Sequence, residues 1–399
     1  MGLRQVIYML SFKQFFILFF ATLVPFLFYF FGKTGIAGFD GYYFLNYACH
    51  GVPISTPAMA LLFFSWLPCS FLIAKIVLFL LCFTCVIFVA LIGELFNQKH
   101  GWKAGLVAFL MPILFFTFIE LENEQLSYPF LFAAIFFFYR GQKWDKIVSA
   151  GLLIFTGLFL WEGAAYLAIA FALSDPFFWL LGIPILIIWP GKFISKMLPD
   201  NQVSENMMGR IMDTIEFGFF GFLNPLRTVL PQLLFFFASA IFNAKFSILV
   251  VPFLAPCLLC LIEEPEKSLF WKPISKIRLP LKIKTWLEKN GKKYFWLAVF
   301  CYLVSQGITC VQHSMPSEEQ IVEVQYVIAL GQGQVQNDWS YGHWIAFYGG
   351  ETNSHSNWML QEPWHEGAIL TSEYLPECEL KKQFSDANMY WCDINSFKK

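Results

Sequence analysis

Charge is what this chain has least of. Only 14% of its 399 residues are Asp, Glu, Lys or Arg, against about 25% in ordinary soluble domains. Nucleotide and nucleophile motifs are missing too. There is no Walker-type phosphate loop, which argues against ATP-driven transport, and no Gly-x-Ser-x-Gly elbow. Gly331-Gln332-Gly333 lacks the third glycine and the strand–helix context of a dinucleotide fingerprint. His365-Glu366 lacks the second histidine of a metalloprotease helix, and His313, His343, His355 and His365 match no standard zinc spacing. No internal repeat is visible. With a net charge of −1 there is no basic field for nucleic acid.

What is present is apolar. Hydrophobic residues make up 57%, Phe alone occurs 49 times, and mean hydropathy is +0.57. A soluble fold of this length could not bury so much apolar surface. The composition predicts an all-α polytopic membrane domain, with a small C-terminal extracytoplasmic domain, α+β or loop-rich. A spanning helix needs about 20 mostly apolar residues. The first candidate is 12–31, behind Arg4 and Lys13; with no small-residue cleavage site after it, it reads as a retained helix. Further runs cover 57–67, 70–93, 105–118, 128–139, 147–160, 164–189 (broken at Asp175-Pro176), 229–242, 246–262 and 294–310. Together they predict about 9–11 crossings.

Cations assign the sides. Arg4, Lys13, Lys99, Lys103, Arg140, Lys143 and Lys146 fall in short loops, and 265–293 carries nine Lys or Arg against Glu266 and Glu288. Such loops stay cytosolic. Alternation then places loops 32–56 and 120–127, and the tail, on the outer face. The expected division is a multi-span domain, 1–312, and an extracytoplasmic domain, 313–399. The tail holds twelve acids and only Lys381, Lys382, Lys398 and Lys399 as cations. Within it, 320–330 suits a short helix or strand.

Most cysteines sit in apolar runs, where they read as small buried hydrophobes; this includes Cys82/Cys85 and Cys257/Cys260. Cys378 and Cys392, alone in the tail on an oxidising face, are a candidate disulfide.

Two outer loops carry the candidate chemistry. The first reads Gly38-Phe39-Asp40-Gly41-Tyr42-Tyr43, one carboxylate just after a spanning helix, then a Tyr-rich interfacial stretch. Asp40 could equally cap that helix. The second reads Glu120-Leu121-Glu122-Asn123-Glu124, acids crowded between very apolar helices. It is either a solvated acidic turn or a site in which Glu120, Glu122 and Asn123 hold a cation or a donor phosphate through one. Mg²⁺ or Mn²⁺ is the cofactor such oxygens would take. Trp161-Glu162 is another membrane-edge acid, lining a cavity or marking a loop.

This arrangement resembles the C-type (GT-C) glycosyltransferases, over roughly the first 190 residues and in the plan of a soluble C-terminal domain. The resemblance implies sugar transfer from a polyprenyl-phosphate or polyprenyl-diphosphate donor at the outer face, with inversion. It maps the catalytic base onto Asp40 and donor or metal binding onto Glu120 and Glu122, with Tyr42 and Tyr43 placing lipid or sugar. The partners implied are that donor, a lipid, glycan or protein acceptor, and membrane lipid. Asn337-Asp338-Trp339-Ser340-Tyr341-Gly342-His343-Trp344 is similar to the Trp-Trp-Asp-Tyr-Gly motif of oligosaccharyltransferases. Trp339, Tyr341 and Gly342 match; Asp338 and Ser340 depart. Asp338, Trp339, Tyr341 and His343 are the expected acceptor-side residues, and the alternative is a turn packed by its own rings. Arg227 and Lys192 are candidate partners for the leaving phosphate. A secondary transporter and a non-enzymatic assembly protein are the competing functions. A transporter calls for mid-helix charge and a repeat, whereas the apolar runs are nearly free of charge, Lys75 excepted.

Overall fold

The computed structural model describes residues 10–38, 40–51, 58–97, 100–181, 230–232, 234, 248–263, 281–313, 316–331, 334–337, 339–352, 367–371, 375, 378–384 and 387–392. Arg4, Lys99, Lys192, Arg227, Asp338, His355, His365 and most of the basic stretch and of the run 229–242 lie outside them.

Helix α1 (Phe12–Gly32) starts at a capping box. The Ser11 hydroxyl accepts from the Gln14 N–H, and the Gln14 side chain accepts from the Ser11 N–H at 2.7 Å. Leu18, Thr22, Pro25, Phe26 and Tyr29 form its buried stripe. Phe12, Phe16, Phe20 and Phe31 are exposed, a lipid-suited face rather than a water-suited one. A short helix, α2 (Asp40–His50), and α3 (Ala58–Trp66) lead to α4 (Phe71–Phe96), capped by Ser70. An irregular helical run, Gly101–Leu110, and α5 (Pro112–Thr117) precede α6 (Asn123–Arg140), α7 (Asp145–Gly157) and α8 (Trp161–Ala172). Then come α9 (Val251–Glu263) and α10 (Leu281–His313). Helix α1 packs on α4 and α10, α4 on α6, and α6 on α7. Phe26 sits between the rings of Phe79 and Phe115, 5.5 and 5.2 Å away.

Three helical stretches among the described residues are long and apolar enough to cross a membrane: Phe12–Gly32, Phe71–Phe96 and Lys293–Gln312. That is fewer than the 9–11 expected. Among the described residues several of the other apolar runs form only short helices. Gly101–Leu110 ends at Met111-Pro112, where proline supplies no N–H to continue the ladder. Helices α7, α8 and α9 have 13, 12 and 13 residues, about 20 Å at a rise of ~1.5 Å per residue, against a hydrocarbon core of ~30 Å.

The two ends of the bundle differ chemically. At one end Lys103 pairs with Glu263 at 2.5 Å, the Trp102 N–H donates to Glu94 at 2.7 Å, and Arg140 grips Asp145 across the α6–α7 turn. Gly141 makes that turn at φ 65°, the left-handed conformation that glycine adopts most readily. At the other end α1 finishes against α4. Lys75 donates to the carbonyls of Tyr29, at 3.0 Å, and Lys33, closing carbonyls that a helix terminus leaves open.

After α10 the chain forms α11 (Glu318–Leu330), β1 (Gln334–Asn337), α12 (Trp339–Phe347), β2 (Glu351–Thr352), β3 (Gly367–Thr371), β4 (Glu379–Gln383) and β5 (Asn388–Cys392). Segment 320–330 is thus helix, opened by a second capping box from Ser317 and Gln320. The sheet order is β2-β1-β3-β5-β4, parallel from β2 to β3 and antiparallel beyond. Strand alternation separates its faces: Ala368, Leu370 and Met389 join the main core, while Ile369 and Tyr390 pack with Leu375 and Cys378.

Cys378 is disulfide-bonded. Glu379 pairs with Trp391 in the antiparallel ladder, so Cys378 and Cys392 each stand one residue beyond a paired couple. Non-reducing peptide mapping is expected to recover 378 and 392 in one linked pair; two alkylatable thiols there would refute the pairing. A second disulfide, Cys49–Cys69, ties the end of α2 to the segment before α4, with Cα atoms 4.7 Å apart. Cys82, Cys85, Cys257, Cys260 and Cys310 are buried, and Cys301 is exposed.

Candidate functional site

The candidate site forms where the first and second loops meet. Ala37 and Glu120 pair as an isolated parallel β-bridge. Tyr29, wholly buried near the end of α1, fastens both strands of that bridge. Its hydroxyl donates to the Ile119 carbonyl at 2.7 Å and accepts the Ala37 N–H at 2.9 Å. Phenylalanine at position 29 would orphan that N–H and that carbonyl. Tyr29→Phe is expected to lower stability by about 2 kcal/mol, read as an earlier unfolding midpoint in detergent; an unchanged midpoint would deny the tie.

Two glycines permit this contact. Gly38 has φ +86°, and a Cβ there would stand 3.0 Å from the Glu120 Cγ. A Cβ on Gly41 would meet the Ile36 Cδ1 at 2.6 Å and the Leu121 backbone nitrogen at 3.5 Å. Asp40 lies between these glycines and opens α2, so its backbone is placed beside 120–121. On the second loop Leu121 is buried while Glu120 and Glu122 are half-buried, and in extended backbone positions 120 and 122 share a side. Glu122 caps α6 in extended conformation, Asn123 is its first residue, and Glu124 is buried in its first turn. The turn is closed by Gln125, which donates to the Thr117 carbonyl at 2.8 Å. Among the described residues no group of three or more His, Cys, Asp or Glu is gathered to hold a metal ion. Two carboxylates remain enough for Mg²⁺, which completes its shell with water and substrate phosphate.

Tyr42 and Tyr43 take different positions. Tyr42 is buried among Phe71, Trp344, Phe347 and Tyr348, its ring 5.2 Å from that of Phe347. Burial first, and Tyr348 next, raise its hydroxyl pKa far above the usual tyrosine value. Tyr43 is half-buried, with its ring 4.9 Å from His343. Helix α12 therefore lies on α2, joining the C-terminal segment to the first loop. Tyr341 and Trp344 are buried, 5.5 Å apart, and His343 is nearly so. Of the motif's rings, Trp344 reaches α2, 6.4 Å from the Tyr42 ring. Trp339 begins α12, and Asp338 before it lies outside the described residues. Glu162 sits half-buried in the first turn of α8.

Lys33, four residues before the bridged Ala37, is a cation that the sequence reading did not single out. It is buried at the end of α1. Burial, with Lys75 adding repulsion, lowers its pKa to about 8, against a weaker opposing influence from Cys310. Its cue in the sequence was modest: a lone lysine directly after a twenty-residue apolar run. No protein-family model matches the chain, and no curated protein matches it in sequence.

Proposed function

We propose that the chain is a membrane glycosyltransferase, moving a sugar from a polyprenyl-phosphate-linked donor to a lipid, glycan or protein acceptor at the outer face. The observation that carries this reading is the contact of the two loops: the Ala37–Glu120 bridge sets the helix opened by Asp40 beside the acidic second loop. The Cys49–Cys69 disulfide supports an oxidising, extracytoplasmic side for the first loop.

In the proposed reaction the Asp40 carboxylate takes the proton of the acceptor hydroxyl. The acceptor oxygen bonds to the anomeric carbon from the face opposite the donor phosphate. The bond from that carbon to the phosphate oxygen breaks, and the electron pair leaves with polyprenyl phosphate. Lys33, protonated, offsets the charge of the departing phosphate. Glu120 and Glu122 would hold Mg²⁺ or Mn²⁺, which when bound supplies charge neutralisation at that phosphate. Tyr43 and His343, whose rings lie 4.9 Å apart, would serve the acceptor side, with Trp339 and Asp338 next along the chain.

Donor affinity tests this directly. A lysine that deprotonates near 8 attracts phosphate only below that value. Polyprenyl-phosphate binding is expected to weaken as pH rises through about 8, and Lys33→Gln should weaken it and flatten that dependence. Equal binding on both sides of that pH would remove Lys33 from the site. No detectable binding at any pH would count against the donor class.

A further inference from the structure

A second, separate site lies at the basic end of the bundle. A groove of about 750 Å³ runs between α1, α10 and the run Gly101–Leu110, within the ~300–1,000 Å³ typical of ligand cavities. Buried Val299 and Leu303 form its floor, and exposed Phe16, Phe20 and Phe300 form its rims. Its wall is apolar along two of the three helices long enough to cross a membrane. Water gains nothing in such a trough, whereas an acyl chain fills it without desolvating a polar group.

Polarity is confined to one end. Lys13, Lys103, Trp102 and Trp296 meet there. Lys103 is ion-paired to Glu263 at 2.5 Å, with its Nζ 5.5 Å from the Trp296 ring centroid. Lys13 projects, exposed, from the first turn of α1. With Lys103 and Glu263 paired, Lys13 is the exposed cation in the groove lining. An apolar trough ending in cations and indoles matches a lipid: chain along the helices, headgroup at the lysines, indoles at headgroup depth. The positive charge selects a headgroup with net negative charge.

We propose that this groove binds one anionic phospholipid of the leaflet facing the basic loops, its acyl chain lying along Phe16, Phe20 and Leu303 and its phosphate at Lys13. The site stands at the opposite end of α1 from Tyr29 and Lys33. It requires membrane insertion but not sugar transfer, so it can hold or fail independently of the proposed activity.

Trp102 and Trp296 provide the readout, because brominated acyl chains quench nearby indoles. The full chain is reconstituted in phosphatidylcholine vesicles containing a graded fraction of brominated phosphatidylglycerol, or of brominated phosphatidylcholine. Brominated phosphatidylglycerol is expected to quench at a mole fraction about fivefold lower, the preference that one lysine near the surface confers. A Trp102→Phe/Trp296→Phe variant should lose that component. Lys13→Glu, at an exposed position that leaves the fold intact, should abolish the headgroup preference. Ala21→Phe, which fills the groove, should remove the saturable component for both lipids. Equal quenching by the two lipids would reduce the groove to ordinary bilayer contact and overturn the proposal. So would a preference untouched by Lys13→Glu, or displacement by polyprenyl phosphate at lower mole fractions than by phosphatidylglycerol. Running the series in Asp40→Asn as well separates lipid binding from catalysis.

Discussion

Asp40→Asn is expected to cut sugar transfer by roughly 10²- to 10⁴-fold, the range that a positioned general base contributes. The amide has nearly the same size but takes no proton from the acceptor. At the first residue of α2, asparagine and aspartate have similar helix propensities. Fold and donor affinity should therefore change little, and the loss should appear in kcat rather than KM. Retention of the Cys49–Cys69 disulfide, which closes the loop behind α2, is the folding control. Transfer at the wild-type rate in the folded variant would assign Asp40 to capping alone and leave an assembly role for the chain.

The largest expected loss of stability is at the opposite end, in the α6–α7 turn. The Arg140 Nε donates to Asp145 at 2.8 Å, a second guanidinium nitrogen donates to its other oxygen, and the Gln142 N–H adds a third bond at 2.8 Å. Both side chains are almost enclosed, 10% and 3% exposed. Asp145→Ala would leave a guanidinium buried against Phe137 with no counter-charge. Removing one partner of a buried pair costs about 3–5 kcal/mol. The pH dependence has a definite sign. Hydrogen bonding from Arg140 holds the Asp145 carboxyl below its usual range, against the opposing effect of burial. The pair's contribution is therefore complete above the unfolded carboxyl value of ~3.9, and is lost as pH falls through the lower folded value. Unfolding midpoints of wild type and Asp145→Ala should differ widely at neutral pH and converge in strong acid. Parallel curves down to acid would place the stabilisation elsewhere.

The long apolar runs were legible because length and hydropathy alone identify a spanning helix. Runs expected at 12–31, 70–93 and 294–310 fall, to within one residue, in the helices Phe12–Gly32, Phe71–Phe96 and Leu281–His313. The shorter runs misled, because an apolar stretch says little about where a helix stops. Met111-Pro112 divides one of them, and the left-handed Gly141 ends another. The Cys49–Cys69 pair was hidden, since connectivity does not follow from spacing, and Cys69 lies between two apolar runs while Cys49 lies in the first outer loop. The loop contact was only partly legible. Asp40 drew notice as a lone acid after an apolar helix and Glu120 as one of three crowded acids, but what joins their loops is Tyr29, a tyrosine inside an apolar helix with no polar neighbour in sequence to mark it. The segment 337–344 drew notice through its rings. In the fold, Tyr341 and Trp344 are buried, with Trp344 against Tyr42 of α2, and composition alone does not distinguish such packing from a pocket wall.

The central claim, that this chain transfers sugar from a polyprenyl donor at the junction of its first two loops, is tested most directly by following both halves of the donor. Purified chain in vesicles receives radiolabelled polyprenyl-phosphate and polyprenyl-diphosphate sugars, with glycan, lipid and peptide acceptors offered in parallel. The account predicts free polyprenyl phosphate or diphosphate appearing in step with a labelled glycoside of inverted anomeric configuration. Both should be present with wild type and nearly absent with Asp40→Asn. Donors that stay intact across that panel in the presence of folded wild type, or turnover equal in wild type and Asp40→Asn, would contradict it.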